Sequence, residues 1–270
     1  MSESKKSISR LIIAASRRVG GKCYIGLCIE EGRLYRPIYI TESTSAKGCW
    51  PIEKNMQIGS FINFWPCEGQ ANVCKLDYPH QNDDLLVEKE FLIEDHGQDF
   101  EAIFFMNFNM YEELLCFASP NLTSIFQGKE EINFNTGKVF VEEGVNCSSC
   151  GILKIKSKDV KFKQDINSDK ELLVVQSYKF IWTSLESSKD VQKVLKRKIE
   201  RFPEEEVLII LSLGRGFNPE NVWPRNRCYC LAVGLIMKEE VENVSSFTAR
   251  KRKHPKILDY FKASKKLGGN

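Results

Sequence analysis

The chain has 270 residues, 42% hydrophobic and 28% charged, a balance typical of a soluble globular protein with room for one large or two small domains. Its longest apolar runs, such as 230–237, are far too short to span a bilayer, and its polar start contains no apolar segment of a secretory signal. We therefore expect a cytoplasmic protein whose ten cysteines are mostly thiols.

Positive charge is concentrated at the C-terminal end. Residues 250–270 contain eight Lys or Arg and one Asp, whereas the formal net charge of the whole chain is only +3, so the first 249 residues carry a net charge of −4. This distribution excludes a basic footprint over the whole body, and a nucleic-acid-binding surface there would have to be a local patch. Residues 247–270 have the composition of a disordered basic tail.

A basic, glycine-containing stretch near the start separates two short apolar runs. Residues 11–15 and 23–29 have the length of buried strands, and a loop is predicted between them. The candidate anion-binding residues of this loop are Ser16, Arg17, Arg18, Gly20, Gly21 and Lys22. Glycine lets a backbone come close to a ligand, and arginine offers a forked set of donors that suits phosphate. The alternative is a surface hairpin loop that is basic for solubility.

The rest of the first half contains weaker signals. Residues 59–65 alternate apolar with small or polar side chains, which indicates a strand with one buried face. Residues 110–117 have the apolar spacing of a short helix, and we interpret 103–127 as a helical insertion. A boundary within 144–151 defines a first domain of residues 1–146.

Residues 147–246 form the second predicted domain. From residue 152 the apolar period changes to two, with lysines between the apolar positions, which predicts a strand pair with a basic outer face. The pattern further predicts a strand over 172–185, a helix over 187–202 that ends at Pro203, and strands over 207–213 and 228–237.

A second glycine-flanked arginine, Arg215, follows the strand predicted over 207–213. The same mixture of arginine and aromatic residues continues in Trp223, Arg225, Arg227 and Tyr229. Arginine for phosphate and aromatic rings for base stacking are the groups with which OB surfaces hold single strands. The alternative is a β-turn that exposes one arginine above core aromatics.

Two cysteine pairs are the candidate metal ligands. Cys147 and Cys150 form a CxxC, and Cys228 and Cys230 form a CxC, so four thiolates could surround one zinc ion. The two pairs lie much farther apart than the pairs of a zinc ribbon, and inert thiols are the favoured interpretation. The sequence contains no known hydrolase, metalloprotease or kinase motif. We therefore predict no metal, no cofactor and no catalytic residue.

The two ends of the body resemble the dual OB-containing domain family of prokaryotes. The matching positions are Ser16, Arg17, Gly20, Gly21, Cys23, Gly26, Arg36 and Pro37, followed in the C-terminal part by 211–215 and the strand from 228 to 237. This resemblance implies two small β-barrels and nucleic-acid binding in a cellular conflict or defence setting. It implies no catalytic residue.

We predict a mostly β (α+β) fold with two OB-like small β-barrels, a helical insertion and a C-terminal helix–strand segment. The predicted function is non-catalytic binding of single-stranded DNA or RNA. The side chains expected to meet phosphates are Arg17, Arg18, Lys22, Arg36 and Arg215.

An apolar triad in the tail suggests a different partner. Ile257, Tyr260 and Phe261 are spaced i, i+3, i+4 and resemble a sliding-clamp-binding peptide, in which His254 replaces the usual glutamine. Two further functions therefore stay open. One is an adaptor whose basic tail recruits a sliding clamp, and the other is a subunit with a nucleotide-binding pocket near Ser16.

Overall fold

The computed structural model is mostly β, with few and short helices. It describes residues 8–18, 21–28, 31–39, 50, 58, 61–66, 84–92, 110–165, 168, 170–184, 189–218 and 221–238. Within these ranges, no helix combines the length and the apolar character needed to cross a bilayer.

The N-terminal unit is a closed five-stranded barrel. Its strands are β1 (Ile8–Arg18), β2 (Gly21–Cys28), β3 (Arg33–Tyr39), β4 (Phe61–Pro66) and β5 (Asp84–Leu92). They follow the order β1-β2-β3-β5-β4, and β4 pairs back onto β1 to close the barrel. All neighbours are antiparallel except β3 and β5. Strand β5 was not predicted, because its mixed charged and apolar residues follow a turn-rich acidic stretch.

The C-terminal unit is an eight-stranded sheet. Its strands are β6 (Glu131–Ile132), β7 (Val139–Glu142), β8 (Cys150–Lys156), β9 (Val160–Gln164), β10 (Glu171–Val175), β11 (Tyr178–Trp182), β12 (Glu206–Phe217) and β13 (Arg227–Met237). One path runs β6-β7-β13-β11-β10-β9, and β12 joins the other side of β13 to β8. The sequence predicted a second small barrel here, and the structure has this larger sheet instead.

Three helices accompany the sheet: α1 (Met110–Leu115), α2 (Leu122–Phe126) and α3 (Lys189–Arg201). Helices α1 and α3 confirm the two predicted helices. Strands β6 and β7 precede the predicted boundary at 146 and nevertheless pair into the second sheet, through β7 and β13. The single strand predicted over 172–185 is two strands, because the chain reverses at Gln176, where φ is 54°.

The two faces of strand β12 pack into two different hydrophobic cores, and in this way β12 connects the two units. Val207, Ile209 and Leu211 face a core with α2 and α3, whereas Leu208 and Ile210 face the barrel. A strand that is buried on both faces has a continuous apolar sequence rather than an alternating one, which is the pattern over 207–213.

The face of the sheet toward the barrel packs directly on β1 and β2. Ile13, Ile25 and Leu27 of the barrel share one buried cluster with the residues of β12. At Gly234 a Cβ atom would lie 3.3 Å from the Cβ of Ala14, so the missing side chain permits the close approach of β13 and β1. We call this contact region the seam.

Candidate nucleic-acid interface

The predicted anion-binding loop of the first unit is a β-hairpin end. Strand β1 continues through Arg18 and β2 begins at Gly21, with Arg17 opposite Lys22 in the register. The prediction of a loop is therefore wrong for residues 16–18, 21 and 22, which pair within β1 and β2. Gly20 and the side chains of Arg17 and Arg18 lie outside the described residues.

A buried tryptophan fixes the hairpin end to the barrel. The backbones of Lys22 and Trp50 exchange two hydrogen bonds of 2.9 Å. Trp50 is fully buried, its indole Nε1 donates to the carbonyl oxygen of Pro37 at 2.7 Å, and its ring meets that of Tyr24 edge to face. These contacts attach the described backbone of the hairpin end to the barrel.

Ser16 lies in the seam. It is 5% exposed, and its backbone forms an isolated antiparallel bridge with Ser184, which follows β11 of the second unit. Its side chain is thus buried between the two units rather than displayed beside the basic hairpin end.

Arg36 also connects the two units. Its guanidinium Nη1 donates to the carbonyl oxygen of Leu213 at 2.9 Å, in a half-buried position. The register of β12 and β13 shifts between Leu213 and Gly216, so this hydrogen bond reaches β12 where the strand bulges. The structure therefore gives Arg36 a definite role in the fold, and its contact with phosphate stays a prediction.

Arg215 lies at the same bulge. It is half-buried within β12, which continues to Phe217, so the stretch that was considered as a β-turn in the alternative interpretation is a strand. Gly216 leaves the space that the carboxylate of Glu143 occupies, because a Cβ atom there would overlap it. The amide Nδ2 of Asn226 donates to the same carboxylate.

The ends of β12 and β13 nearest this bulge form the strand-end surface, which we define as Arg215, Phe217, Val222, Trp223, Arg225 and Arg227. Phe217 and Val222 are 56% and 66% exposed. The guanidinium carbon of Arg227 lies 4.4 Å from the ring centroids of both Phe140 and Trp223. Arg225 Nη1 lies 3.4 Å from Glu142 Oε2 in an exposed ion pair.

The sequence analysis missed the part of this surface that β7 supplies. Phe140 and Glu142 lie before the predicted domain boundary and pair with β13 across Tyr229 and Arg227. The signal was the apolar run over 139–141, which is too brief to separate a strand from a loop.

The structure brings the cysteine pairs near one another deep in the second unit. Burial raises the pKa of the Cys228 thiol to about 12, and burial likewise raises the pKa of Cys230 well above its ordinary value. The thiol of Cys150 lies 3.8 Å from the Ser212 hydroxyl. Among the described residues, no group of three or more metal-ligating side chains is arranged to hold an ion.

The tail triad Ile257, Tyr260 and Phe261 lies outside the described residues, so its contact with a clamp stays a prediction. No protein-family model matches the chain, and neither does any curated protein. The resemblance to dual OB-containing proteins therefore also stays a prediction.

Proposed function

We propose that this chain binds single-stranded nucleic acid without catalysis, through a basic hairpin on an OB-like barrel. The observation that carries the proposal is the barrel itself. Five strands close in the order β1-β2-β3-β5-β4, and the adjoining ends of β1 and β2 contain the three cations Arg17, Arg18 and Lys22. OB folds are five-stranded Greek-key barrels that bind oligonucleotides on the face of strands 2 and 3 and with the loop between strands 1 and 2.

The packing of the barrel restricts where a strand of nucleic acid can bind. Ile25 and Leu27 of β2, with Leu34 of β3, pack against the second unit, so that part of the usual binding face is covered. The hairpin end with Arg17, Arg18 and Lys22 remains as the candidate contact within the barrel. The first 249 residues carry a net charge of −4, and their cations are local. We therefore expect binding that depends on few phosphate contacts.

The strand-end surface supplies a second candidate contact. Phe217 is exposed beside the arginines of β12 and β13, and an exposed aromatic ring next to guanidinium groups suits base stacking with phosphate neutralisation. The cytoplasmic location and the prokaryotic defence setting belong to the same proposal. The location rests on the composition of the sequence, and the defence setting rests on the sequence resemblance.

A second candidate function is the adaptor. The observation that favours it is Phe134, which is fully exposed in the β6–β7 turn. The side-chain oxygen of Asn133 accepts hydrogen bonds from the backbones of Asn135 and Thr136, so the turn has a fixed shape. An exposed aromatic on a rigid turn suits insertion into a pocket of a partner protein.

Fluorescence anisotropy with labelled single-stranded DNA and RNA tests the proposed function. The full chain is compared with Arg17→Ala/Arg18→Ala and with a charge-matched control, Lys129→Ala/Lys238→Ala, which removes two exposed lysines elsewhere. We expect the hairpin variant to bind about ten-fold more weakly than the control, because each lost phosphate contact costs roughly three-fold. Equal binding by the two variants would contradict the proposal and favour the tail or the adaptor.

A further inference from the structure

A cleft of about 380 Å³ lies between β9 and α3, on the side of the second unit where lysines alternate with apolar residues. Its floor includes the 3-10 turn of residues 157–159. The charged residues that line it are Lys158, Lys161, Lys163, Lys196 and Glu200. Lys161 and Lys163 of β9 are exposed, as predicted for a basic outer face, but the predicted strand pair does not form, because β8 pairs with β12 and β9 pairs with β10. The structure adds that β9 borders a concave site.

Two of the four lysines are neutralised by the protein. Lys158 Nζ donates to Glu204 Oε1 at 3.0 Å, and Lys196 Nζ donates to Glu171 Oε1 at 2.8 Å. Lys161 and Lys163 are exposed, and within the described residues they form no ion pair or hydrogen bond. The cleft therefore presents two uncompensated cations, two residues apart along one strand.

The walls of the cleft are more rigid than these lysines. The ring of Phe162 meets Trp182 edge to face, with centroids 5.2 Å apart, and Lys196 Nζ lies 5.2 Å from the Phe162 centroid. Ile199 of α3 is buried in the core below. The apolar wall excludes water from one side of a bound anion, and the lysines at the rim of the cleft neutralise the charge of that anion.

The chain connects this cleft to the hairpin end. The backbone bridge between Ser16 and Ser184 joins the hairpin strand to the residue after β11, and α3 begins five residues later. Five residues span at most about 17 Å, and a helix of 13 residues is about 20 Å long. The far end of α3 borders the cleft, where the backbone N–H of Lys158 donates to the carbonyl oxygen of Pro203 at 2.9 Å.

We propose that the cleft between β9 and α3 binds phosphate groups of the same single-stranded nucleic acid that the hairpin contacts. This inference rests on the proposed function and specifies a second contact. Lys161 and Lys163 neutralise the phosphates. A repeating anion suits this arrangement better than a single phosphate, since the two cations lie two residues apart on one strand that borders the cleft.

The test compares two full-length variants in the same anisotropy assay, with labelled oligo-dT between 50 and 300 mM salt, because the affinity of phosphate contacts falls steeply over this range. The cleft variant is Lys161→Ala/Lys163→Ala, and the charge-matched control is Lys129→Ala/Lys238→Ala. We expect the cleft variant to bind about ten-fold more weakly, with the slope of log K against log salt reduced by about 1.4. All four substituted lysines are exposed, and circular dichroism verifies that each variant is folded.

Three results overturn the inference in distinguishable ways. Equal binding by the cleft variant and the control overturns the cleft site alone, while a defect in Arg17→Ala/Arg18→Ala keeps the proposed function. If the unsubstituted chain binds neither oligo-dT nor oligo-U, both the cleft site and the proposed function are overturned. Displacement of oligo-dT by poly-glutamate at equal ionic strength and equal charge shows that the cleft recognises charge in general, which also overturns the assignment to phosphate.

Discussion

The two cationic regions of the second unit differ in how the protein uses their charges. At the strand-end surface, Arg227 lies between two aromatic rings and Arg225 pairs with Glu142. At the β9–α3 cleft, Lys161 and Lys163 extend from the strand without a described partner. The guanidinium group of arginine is planar and less strongly hydrated than the ammonium group of lysine. Arginine therefore packs readily within the protein, whereas lysine keeps its charged group in water.

A count of cations in a sequence therefore does not identify the cations that can bind a ligand. Arg36 looks like a phosphate ligand in the sequence, and in the structure it holds the seam through Leu213. The lysines of β9 look like a solvated strand face, and in the structure they border a cleft.

Arg36→Met should destabilise the protein most. The substitution keeps the aliphatic packing and removes a charged donor from the Leu213 carbonyl, which is expected to lower the free energy of unfolding by about 2 to 3 kcal/mol. Urea unfolding measures the change, with Lys163→Met as the matched surface control. If Arg36→Met unfolds like the control but binds oligonucleotide more weakly, Arg36 is a ligand-binding residue and the contrast fails.

Arg227→Met should have the next largest effect. The guanidinium contacts two ring faces, and its loss is expected to lower the free energy of unfolding by about 1.5 to 2 kcal/mol. Arg227→Lys retains the charge but not the planar stacking, so it should recover only part of the loss. Full recovery by lysine would mean that charge alone acts at this position.

The buried Cys228 should make stability depend on alkaline pH. Because burial raises its pKa from 9.0 to about 12, the unfolded chain loses this proton at a lower pH than the folded protein does. The contribution is complete below pH 9 and declines above it, by about 1.4 kcal/mol at pH 10. The loss of unfolding free energy between pH 8 and 10 should therefore be smaller in Cys228→Ala than in the unsubstituted chain. An equal loss in both would show that Cys228 ionises as freely in the folded state as in the unfolded state.

Arg225→Ala should have the smallest effect. Its ion pair with Glu142 is 3.4 Å long and its side chain is 63% exposed, so we expect a change of less than about 0.5 kcal/mol in the free energy of unfolding. The same urea series measures it. A loss as large as that of Arg227→Met would show that the exposed pair stabilises the sheet end.

The sequence predicted those elements in which the spacing of apolar residues agrees with the face that the structure buries. Helix α3 and strand β13 were predicted correctly, because an amphipathic helix and a long apolar strand have distinct patterns. Strand β5 was missed, since its charged residues interrupt the apolar signal. The split of 172–185 depends on a left-handed Gln176, a residue that gives no turn signal.

The candidate site was less predictable than the fold. Glycine beside arginine suggested loops at 16–22 and 213–217, and the described residues of both stretches lie in strands. Strand pairing includes residues 16–18, 21 and 22 in the first and continues through a bulge in the second. The seam could not be predicted, since burial of Ser16 and Arg36 depends on contacts between residues far apart in the chain. Periodicity is a local signal and does not report such contacts.

Lysine acetylation with and without a single-stranded oligonucleotide tests the central claim most directly. Acetylation modifies exposed amines, and a bound phosphate backbone protects those it covers. The account predicts protection of Lys22, Lys161 and Lys163 and unchanged modification of Lys129 and Lys238. Protection confined to the lysines of residues 250–270 would contradict it, because the tail would then hold the polymer without the barrel or the cleft.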